Sequence, residues 1–256
     1  MILNLLQYNL PMNILIGLVV LQLFCVILAL TAHEFAHGFM ASKLGDPTAG
    51  MQGRLTLNPI AHIDLVGFFM MLFFGFGWAK PVPVNPRLMR KPKRDMALTS
   101  LAGPAINLCL ALISGIAVGA MVSFDVPLVL DPRVIAMAAQ ADALTPVIIL
   151  CYFLCMFCLL NIGLALFNLI PIPPLDGSNI LVSLLPNNIA AKYLKIRYYT
   201  QYIFIGIMAL SFLARRMPGT IIDTIDTIIW WPLQEFRILL AEWFMDLGYN
   251  LFSLFT

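Results

Sequence analysis

Long apolar runs, separated by short polar stretches, set the pattern of this 256-residue chain. Three of the runs predict helices at about residues 13–44, 96–124 and 145–170, and each is longer than the roughly 20 residues that cross the hydrocarbon core of a bilayer. The first helix should end at Gly45-Asp46-Pro47, because glycine in the C′ position stops a helix. A fourth apolar run covers residues 201–214. The pattern predicts an all-α polytopic membrane protein.

The stretch between the first two predicted helices has a different pattern. Residues 65–78 are apolar but short, and Gly67, Gly75 and Gly77 interrupt them, so a re-entrant hairpin fits them better than a membrane span. The segment from Lys80 to Pro86 follows, and its three prolines exclude a helix and favour extended backbone. We expect an exposed edge strand here that can pair with another extended chain.

The composition agrees with a membrane protein. Hydrophobic residues make up 61% of the chain, charged residues make up 11%, and the mean hydropathy is +0.92. This leaves too little polar surface for a soluble globule of the same length. Residues 1–13 contain no basic n-region and no small-residue cleavage site, so we expect the first apolar run to be retained rather than removed as part of a signal peptide.

The positive charges predict an orientation in the membrane. Five basic residues lie between positions 87 and 94 and three between 192 and 197, whereas the stretch from Asp125 to Asp142 is acidic. The positive-inside rule then places both basic loops in the cytoplasm and the N-terminus outside. Arg215-Arg216 fits only if the run before it does not fully cross or if the pair snorkels to a headgroup. Because apolar spans flank the basic cluster, we expect the lipid bilayer as its partner and no nucleic acid.

A zinc-hydrolase motif stands at the end of the first apolar run, in the sequence His33-Glu34-Phe35-Ala36-His37. On a helix the two histidines share one face and can bind one Zn²⁺, while Glu34 is placed to accept a proton from water at the metal. The apolar segment before His33 is about 25 Å long at about 1.5 Å per residue. We therefore expect the site in the cytoplasmic half of the bilayer, recessed but within reach of water.

The third metal ligand has three candidates. Asp176 follows a proline-rich run that begins at Asn168, at the end of the third predicted helix, and a carboxylate at membrane depth on irregular backbone is functional by default. His62 is chemically a better zinc ligand, and Asp64 lies close to it, but the sequence does not fix the distance of their loop from the motif. Residue chemistry favours Asp176, then His62, then Asp64. The other interpretation of His62 is a hydrogen bond that organises its loop.

Four separated motifs, in a specific order, resemble the site-2 protease family of intramembrane metalloproteases, in particular its compact prokaryotic members without a PDZ domain. The motifs are His33-Glu34-Phe35-Ala36-His37, Gly77-Trp78-Ala79-Lys80-Pro81-Val82-Pro83-Val84-Asn85-Pro86, Ala102-Gly103-Pro104-Ala105-Ile106-Asn107 and the run from Asn168 to Gly177. The resemblance covers about residues 15–190 and implies that the predicted helices at about 13–44, 96–124 and 145–170 form a three-helix core. It implies one zinc ion per chain, bound by His33, His37 and Asp176, with Glu34 as the catalytic carboxylate.

The resemblance also implies contacts with a substrate. Asn168 would lie near the reacting carbonyl, where its amide could donate a hydrogen bond to the oxyanion; the alternative for Asn168 is a helix-capping or interhelical hydrogen bond. We interpret Asn107 as a packing residue between helices rather than a catalytic group. An unwound substrate would pair with the extended segment. Its predicted binding residues are Lys80, Pro81, Val82, Pro83, Val84 and Asn85.

These patterns divide the chain into a metalloprotease core, residues 1–190, and a C-terminal part, residues 191–256. The C-terminal part should contain one more membrane helix and then a segment in which Glu235, Glu242 and Asp246 share a face, as in an amphipathic helix that lies in the membrane interface.

The predicted function is that of a zinc endopeptidase in a prokaryotic plasma membrane. It would cut single-span membrane proteins near the cytoplasmic face, as in regulated intramembrane proteolysis. The alternative is a non-proteolytic metal-binding or transport protein, since ligands at membrane depth can mark an ion path. Glu34 favours the protease, because a transporter has no need of a carboxylate between the two histidines.

Overall fold

A computed structural model describes residues 10–74, 78–141, 143–214 and 221–253, together with Leu5 and Tyr8. These residues form helices joined by loops and contain no β-strand. The helices are α1 (Met12–Lys43), α2 (Thr48–Met51), α3 (Leu65–Phe74), α4 (Pro92–Ser123), α5 (Pro132–Gln140), α6 (Pro146–Leu169), α7 (Asp176–Leu184), α8 (Asn187–Ala214) and α9 (Ile221–Phe252). Gly75, Gly77, Asp142 and Arg215-Arg216, which entered the hairpin and orientation predictions, lie outside the described residues.

Helices α1, α4 and α6 pack against one another and form the core. All three are long and apolar enough to cross a membrane, which confirms the prediction of an all-α polytopic membrane protein. Their ends agree with the predicted ends to within one residue, except at the start of α4. That helix begins at Pro92 because proline suits a first turn and because the buried Asp95 carboxylate accepts the Lys91 N–H at 2.7 Å. The predicted start was too late because the first turn of α4 is polar, and the prediction followed the apolar residues.

The predicted stop of α1 is confirmed. Gly45 adopts a φ of +108°. Glycine is favoured in this conformation because it has no Cβ atom. The next residue, Asp46, is fully buried, and its carboxylate accepts the N–H of Asn85 at 2.6 Å. This hydrogen bond fastens one end of the segment 78–86 to the end of α1.

The segment 78–86 leads from the region of α3 to α4 without regular secondary structure up to residue 85. The expected edge strand is therefore a non-helical stretch that pairs with no β-strand among the described residues. Its backbone is held largely by side chains: the Arg54 guanidinium donates to the Lys80 carbonyl at 2.7 Å. Lys80 itself donates its N–H to the His62 carbonyl at 2.9 Å.

The C-terminal helix α9 packs along α4 and α6. Glycines permit this approach, since a Cβ built on Gly115 would lie 2.5 Å from the Cβ of Phe244, and one on Gly119 or Gly248 would overlap the backbone of the facing helix. The acidic residues Glu235, Glu242 and Asp246 are exposed on α9. The sequence pattern located the polar face of this helix but did not predict its packing against the membrane-spanning core.

Candidate metal centre

Two helices bring three metal-binding side chains together. His33 and His37 are one turn apart on α1, and both are buried, at 5% and 9% exposure. Asp176 is the first residue of α7. The two histidine Nε2 atoms are 3.0 Å apart, and each lies 3.2 Å from Asp176 Oδ2.

This triangle fits zinc. Nitrogen or oxygen ligands at about 2.0–2.1 Å from a tetrahedral zinc ion lie about 3.3 Å from one another, close to the separations of 3.0 and 3.2 Å in the structure. Two imidazoles and one carboxylate form a common ligand set of catalytic zinc sites, which keep a fourth position for water or substrate. Among the described residues, His33, His37 and Asp176 are the one group of three or more His, Cys, Asp or Glu side chains close enough to hold a metal ion.

Hydrogen bonds at the other ring nitrogens orient both histidines. His37 Nδ1 lies 2.7 Å from the carbonyl oxygen of Thr99, which can only accept, so His37 carries its proton on Nδ1. His33 Nδ1 lies 2.6 Å from Asn107 Oδ1. A histidine that donates from Nδ1 offers the lone pair of Nε2 to a metal, and partners of this kind fix the ring orientation.

The orientation of the Asn107 amide follows from a chain of hydrogen bonds through the core. The Phe157 carbonyl fixes the Asn161 amide nitrogen at 2.8 Å, so Asn161 Oδ1 faces the amide nitrogen of Asn107, 2.6 Å away. Asn107 Oδ1 is left to accept from His33. Asn107 and Asn161 are both fully buried. Their hydrogen bonds connect the zinc ligand His33 on α1 to α4 and, through Asn161, to α6.

Gly103 explains how α4 approaches the metal centre so closely. A Cβ at this position would lie 2.5 Å from His37 Nε2 and 2.6 Å from His33 Cε1. Any larger residue would displace the imidazoles, so the packing requires glycine here. In the sequence, Gly103 was noted only as part of a motif. It lies one helical turn before Asn107, and this spacing indicates that both residues are on the same face of α4, toward α1.

Asp176 reaches the histidines because α6 ends at Leu169 and the chain reverses in a proline-rich loop. Gly177 packs on the end of α6, since a Cβ there would lie 2.5 Å from the carbonyl carbon of Leu169. Asn179 donates to the Ser100 hydroxyl at 3.0 Å and so ties α7 to α4. Asp176 thus contributes a carboxylate oxygen to the ligand triangle.

Glu34 lies outside the ligand triangle. Its Oε2 accepts the backbone N–H of Val82 at 2.9 Å, so one carboxylate oxygen is bound to the segment 78–86. The Val82 side chain packs on α1, where a Cβ at Gly38 would lie 3.1 Å from Val82 Cγ1. The expected catalytic carboxylate and the expected substrate segment are thus in direct contact.

The other two ligand candidates have structural roles. His62 is buried, and its Nε2 hydrogen-bonds the Thr56 carbonyl at 2.8 Å, as expected of a residue that organises its loop. Asp64 accepts the Gly67 N–H at 2.8 Å at the start of α3.

The two asparagines considered as catalytic or packing residues differ in position. The Asn168 amide donates to the Leu164 carbonyl of its own helix at 2.9 Å, a bond within α6. Asn107 does join helices, as predicted, and it also orients a metal ligand. That second role was missed because its partner, His33, lies 74 positions earlier in the sequence.

The sequence of this chain is similar to those of known proteins. A family model described as peptidase family M50 matches residues 21–213. The chain is 40% identical over 180 residues to a Bacillus subtilis protein named "Putative zinc metalloprotease YwhC", a match that covers 70% of this chain and 76% of the relative. It is 31% identical over 157 residues to "Putative zinc metalloprotease Rip2" of Mycobacterium tuberculosis, covering 59% of this chain and 52% of that protein. No solved structure matches the chain.

The family match extends from within α1 to the end of α8 and includes all three candidate zinc ligands. It confirms the resemblance to the site-2 protease family and decides between the two predicted classes in favour of the protease. The ligand geometry and the match lead to the same conclusion: this chain belongs to peptidase family M50 and is a zinc metalloprotease of membranes.

Proposed function

We propose that this metalloprotease cleaves peptide bonds within the membrane, in the transmembrane segments of single-span proteins. The observation that carries the proposal is the position of the metal centre inside the helical core. His33 lies on α1, its partner Asn107 on α4, and Asn161 on α6, and these three helices are the ones long and apolar enough to cross a membrane. A site built for soluble substrates would not need to be enclosed by membrane helices.

The residues of the site suit hydrolysis of a peptide bond. When bound, zinc would polarise the scissile carbonyl and acidify a water molecule. Glu34 accepts the proton of the attacking water and transfers it to the leaving amine as the C–N bond breaks. His33, His37 and Asp176 hold the metal, and Asn107 and Thr99 keep the imidazoles in the required tautomer.

Asn168 is the proposed hydrogen-bond donor to the oxyanion. In the structure one N–H of its amide donates to Leu164 at 2.9 Å within α6, and the second N–H of the same NH₂ group can donate to an oxyanion. Asn168 lies in the last turn of α6. It is therefore next to the loop in which the chain reverses before Asp176. Loss of one oxyanion donor typically costs about 10² to 10³ in rate.

The substrate segment is coupled to the catalytic carboxylate in this proposal. A transmembrane substrate must unwind before cleavage, and its released backbone groups need partners that lipid does not supply. Extended backbone at 80–85 provides them by strand addition. Because Val82 donates to Glu34, the segment that would bind substrate also positions the catalytic carboxylate.

We further propose that the protein is a multi-pass protein of a prokaryotic plasma membrane with its active site toward the cytoplasm. The basic loops at 87–94 and 192–197 and the acidic stretch at 125–141 support this orientation. Labelling of single cysteines should reach positions 87–94 from the cytoplasmic side and 125–141 from the outside. Labelling of 87–94 from the outside would reverse the orientation without affecting the protease assignment.

The main test compares membrane fragments from cells with wild-type enzyme and with Glu34→Gln. We expect fragments that end inside hydrophobic segments to disappear in the variant, while zinc content stays at the wild-type value. His62→Ala, which alters a buried histidine outside the ligand group, serves as the control and should retain these fragments. If the fragments that depend on Glu34 end only in soluble regions, the intramembrane proposal is wrong.

A further inference from the structure

A groove lies between α4 and α7, next to the metal centre but separate from it. Its volume is about 590 Å³, and it is lined by residues from the first turns of α4 and the last turns of α7. The lining residues are Lys91, Pro92, Lys93, Arg94, Ala97, Leu98, Leu101, Ile180, Ser183 and Leu184. None of them has a role in the proposed reaction.

One end of the groove is basic. Lys91, Lys93 and Arg94 are exposed there, and no carboxylate lines the groove. The buried Asp95 pairs with Arg94 at 2.9 Å, which leaves two positive charges without a carboxylate partner in this lining. The Lys93 ammonium donates to the Leu185 carbonyl and to Asn187 and so closes the groove against the end of α7. Among the described residues the Lys91 ammonium makes no hydrogen bond or salt bridge, and it interacts with the buried Asp95 by longer-range charge attraction.

The other end of the groove is apolar and exposed. Leu98 is 37% exposed and Leu101 is 43% exposed. Leu98 and Leu101 lie one and two turns beyond the basic residues on α4, a helix long and apolar enough to span a membrane. Along this helix the lining therefore changes from cationic to apolar, in the direction from the membrane surface toward its interior.

We propose that the groove binds one anionic phospholipid. The phosphate would lie among Lys91, Lys93 and Arg94, and an acyl chain would cover Leu98 and Leu101. Basic pockets between membrane helices commonly bind anionic headgroups, and exposed leucines beside a spanning helix suit hydrocarbon rather than a soluble anion. This proposal rests on the groove and does not depend on the intramembrane cleavage proposed above.

The site would also connect the lipid to the metal centre. Helix α7 begins with the ligand Asp176, and α4 carries Thr99, the partner of His37. A lipid that bridges α4 and α7 would hold these two helices together. Lys93 already makes one such bridge by its bonds to Leu185 and Asn187.

Native mass spectrometry of the purified, delipidated protein, titrated with phosphatidylglycerol, tests the proposal. Lys91→Gln removes one charge from the groove, whereas the control Arg87→Gln removes one charge from the same loop outside it. We expect Lys91→Gln to weaken the tightest phosphatidylglycerol binding about fivefold, the effect typical of one basic residue at a lipid headgroup, and Arg87→Gln to change it less than about twofold. Zinc content equal to wild type verifies folding of both variants.

A second variant tests the apolar part. Ala97→Phe fills the groove without changing its charge and should weaken phosphatidylglycerol binding to a similar extent, while excess phosphatidylcholine or inorganic phosphate should compete poorly. Equal effects of Lys91→Gln and Arg87→Gln would show diffuse attraction and overturn the site. Full competition by inorganic phosphate would likewise overturn it, because the groove would then bind an anion and not a lipid.

Discussion

The two regions that meet at Glu34 are held in different ways. On the ligand side, His33 and His37 are buried and each has a fixed partner for Nδ1, at 2.6 and 2.7 Å. Those partners belong to α4, which packs against both α1 and α6. The ligand side is therefore a rigid part of the helical core, with its rings oriented before any metal binds.

On the substrate side, the segment 78–86 has no helix or strand of its own up to residue 85. Individual hydrogen bonds to Arg54, Glu34, Asp46 and the His62 carbonyl hold its backbone. Such bonds can be exchanged one at a time, whereas the packing of α1, α4 and α6 cannot. Metal binding and substrate binding should therefore respond separately to mutation. Changes on the ligand side should reduce zinc affinity, and changes in the segment should reduce turnover at full zinc occupancy.

The largest effect is expected from the ligands themselves. His33→Ala, His37→Ala or Asp176→Ala leaves two of three protein ligands, so each variant should lose most of its zinc and all measurable peptidase activity. Elemental analysis of the purified variants measures the loss. His62→Ala is the matched control and should keep about one zinc per chain, because all three ligands remain in place. Full zinc in Asp176→Ala together with loss in His62→Ala would make the third-ligand assignment wrong.

The next effect separates chemistry from metal binding. Glu34→Gln keeps the size of the side chain but cannot accept the proton, so the rate should fall by about 10² to 10⁴, the usual contribution of a general base. Zinc content should not change, because Glu34 is outside the ligand triangle. Peptidase assays at matched zinc occupancy measure this, and a variant that keeps its rate would exclude Glu34 as the base.

A smaller effect is expected one contact away from the metal. Asn107→Ala removes the acceptor of the His33 Nδ1 proton, and loss of such a partner typically weakens metal binding about 10- to 100-fold. Competition with a chelator gives the zinc affinity. Ser114→Ala is the control on the same helix, since that hydroxyl donates to carbonyls of α4 and bonds no metal ligand. If both variants have the same affinity, Asn107 is a packing residue only.

The sequence predicted the parts of this site that depend on local pattern. The apolar runs located α1, α4 and α6, and a spacing of four residues on one helix placed His33 and His37 on one face. Prolines after α6 indicated the irregular backbone that carries Asp176. Each of these signals is contained in a short window of the chain.

The remaining features depend on contacts between distant residues. The bond from His33 to Asn107 joins residues 74 positions apart, and the bond from Val82 to Glu34 joins residues 48 apart. Neither residue type specifies its partner. The packing of α9 on α4 depends on glycines such as Gly115 and Gly248, each of which lies against the facing helix. These contacts form only when the helices of the bundle have come together. Pairings of this kind follow from the tertiary arrangement, which an apolar pattern does not encode.

The smallest effect distinguishes two donors within the substrate segment. In extended backbone the N–H groups of Val82 and Val84 point to the same side, and the prolines at 81 and 83 have none. Val82 donates to Glu34, whereas the structure gives the Val84 N–H no partner among the described residues. Val82→Pro should therefore lower kcat about tenfold, the rate equivalent of roughly 1.4 kcal/mol, because Glu34 loses its positioning bond. Val84→Pro should instead raise KM, because only a substrate would use that donor.

Kinetics of both variants on a transmembrane substrate in proteoliposomes, with zinc content and thermal stability alongside, make the distinction. Val82→Ala keeps the N–H and loses only side-chain contacts with Gly38, so it should retain the wild-type kcat. A kcat that falls equally in Val82→Ala and Val82→Pro would assign the effect to packing rather than to the hydrogen bond. Wild-type kcat and KM in both proline variants would rule out strand addition at this segment, and the substrate would then have to dock against the helices of the core.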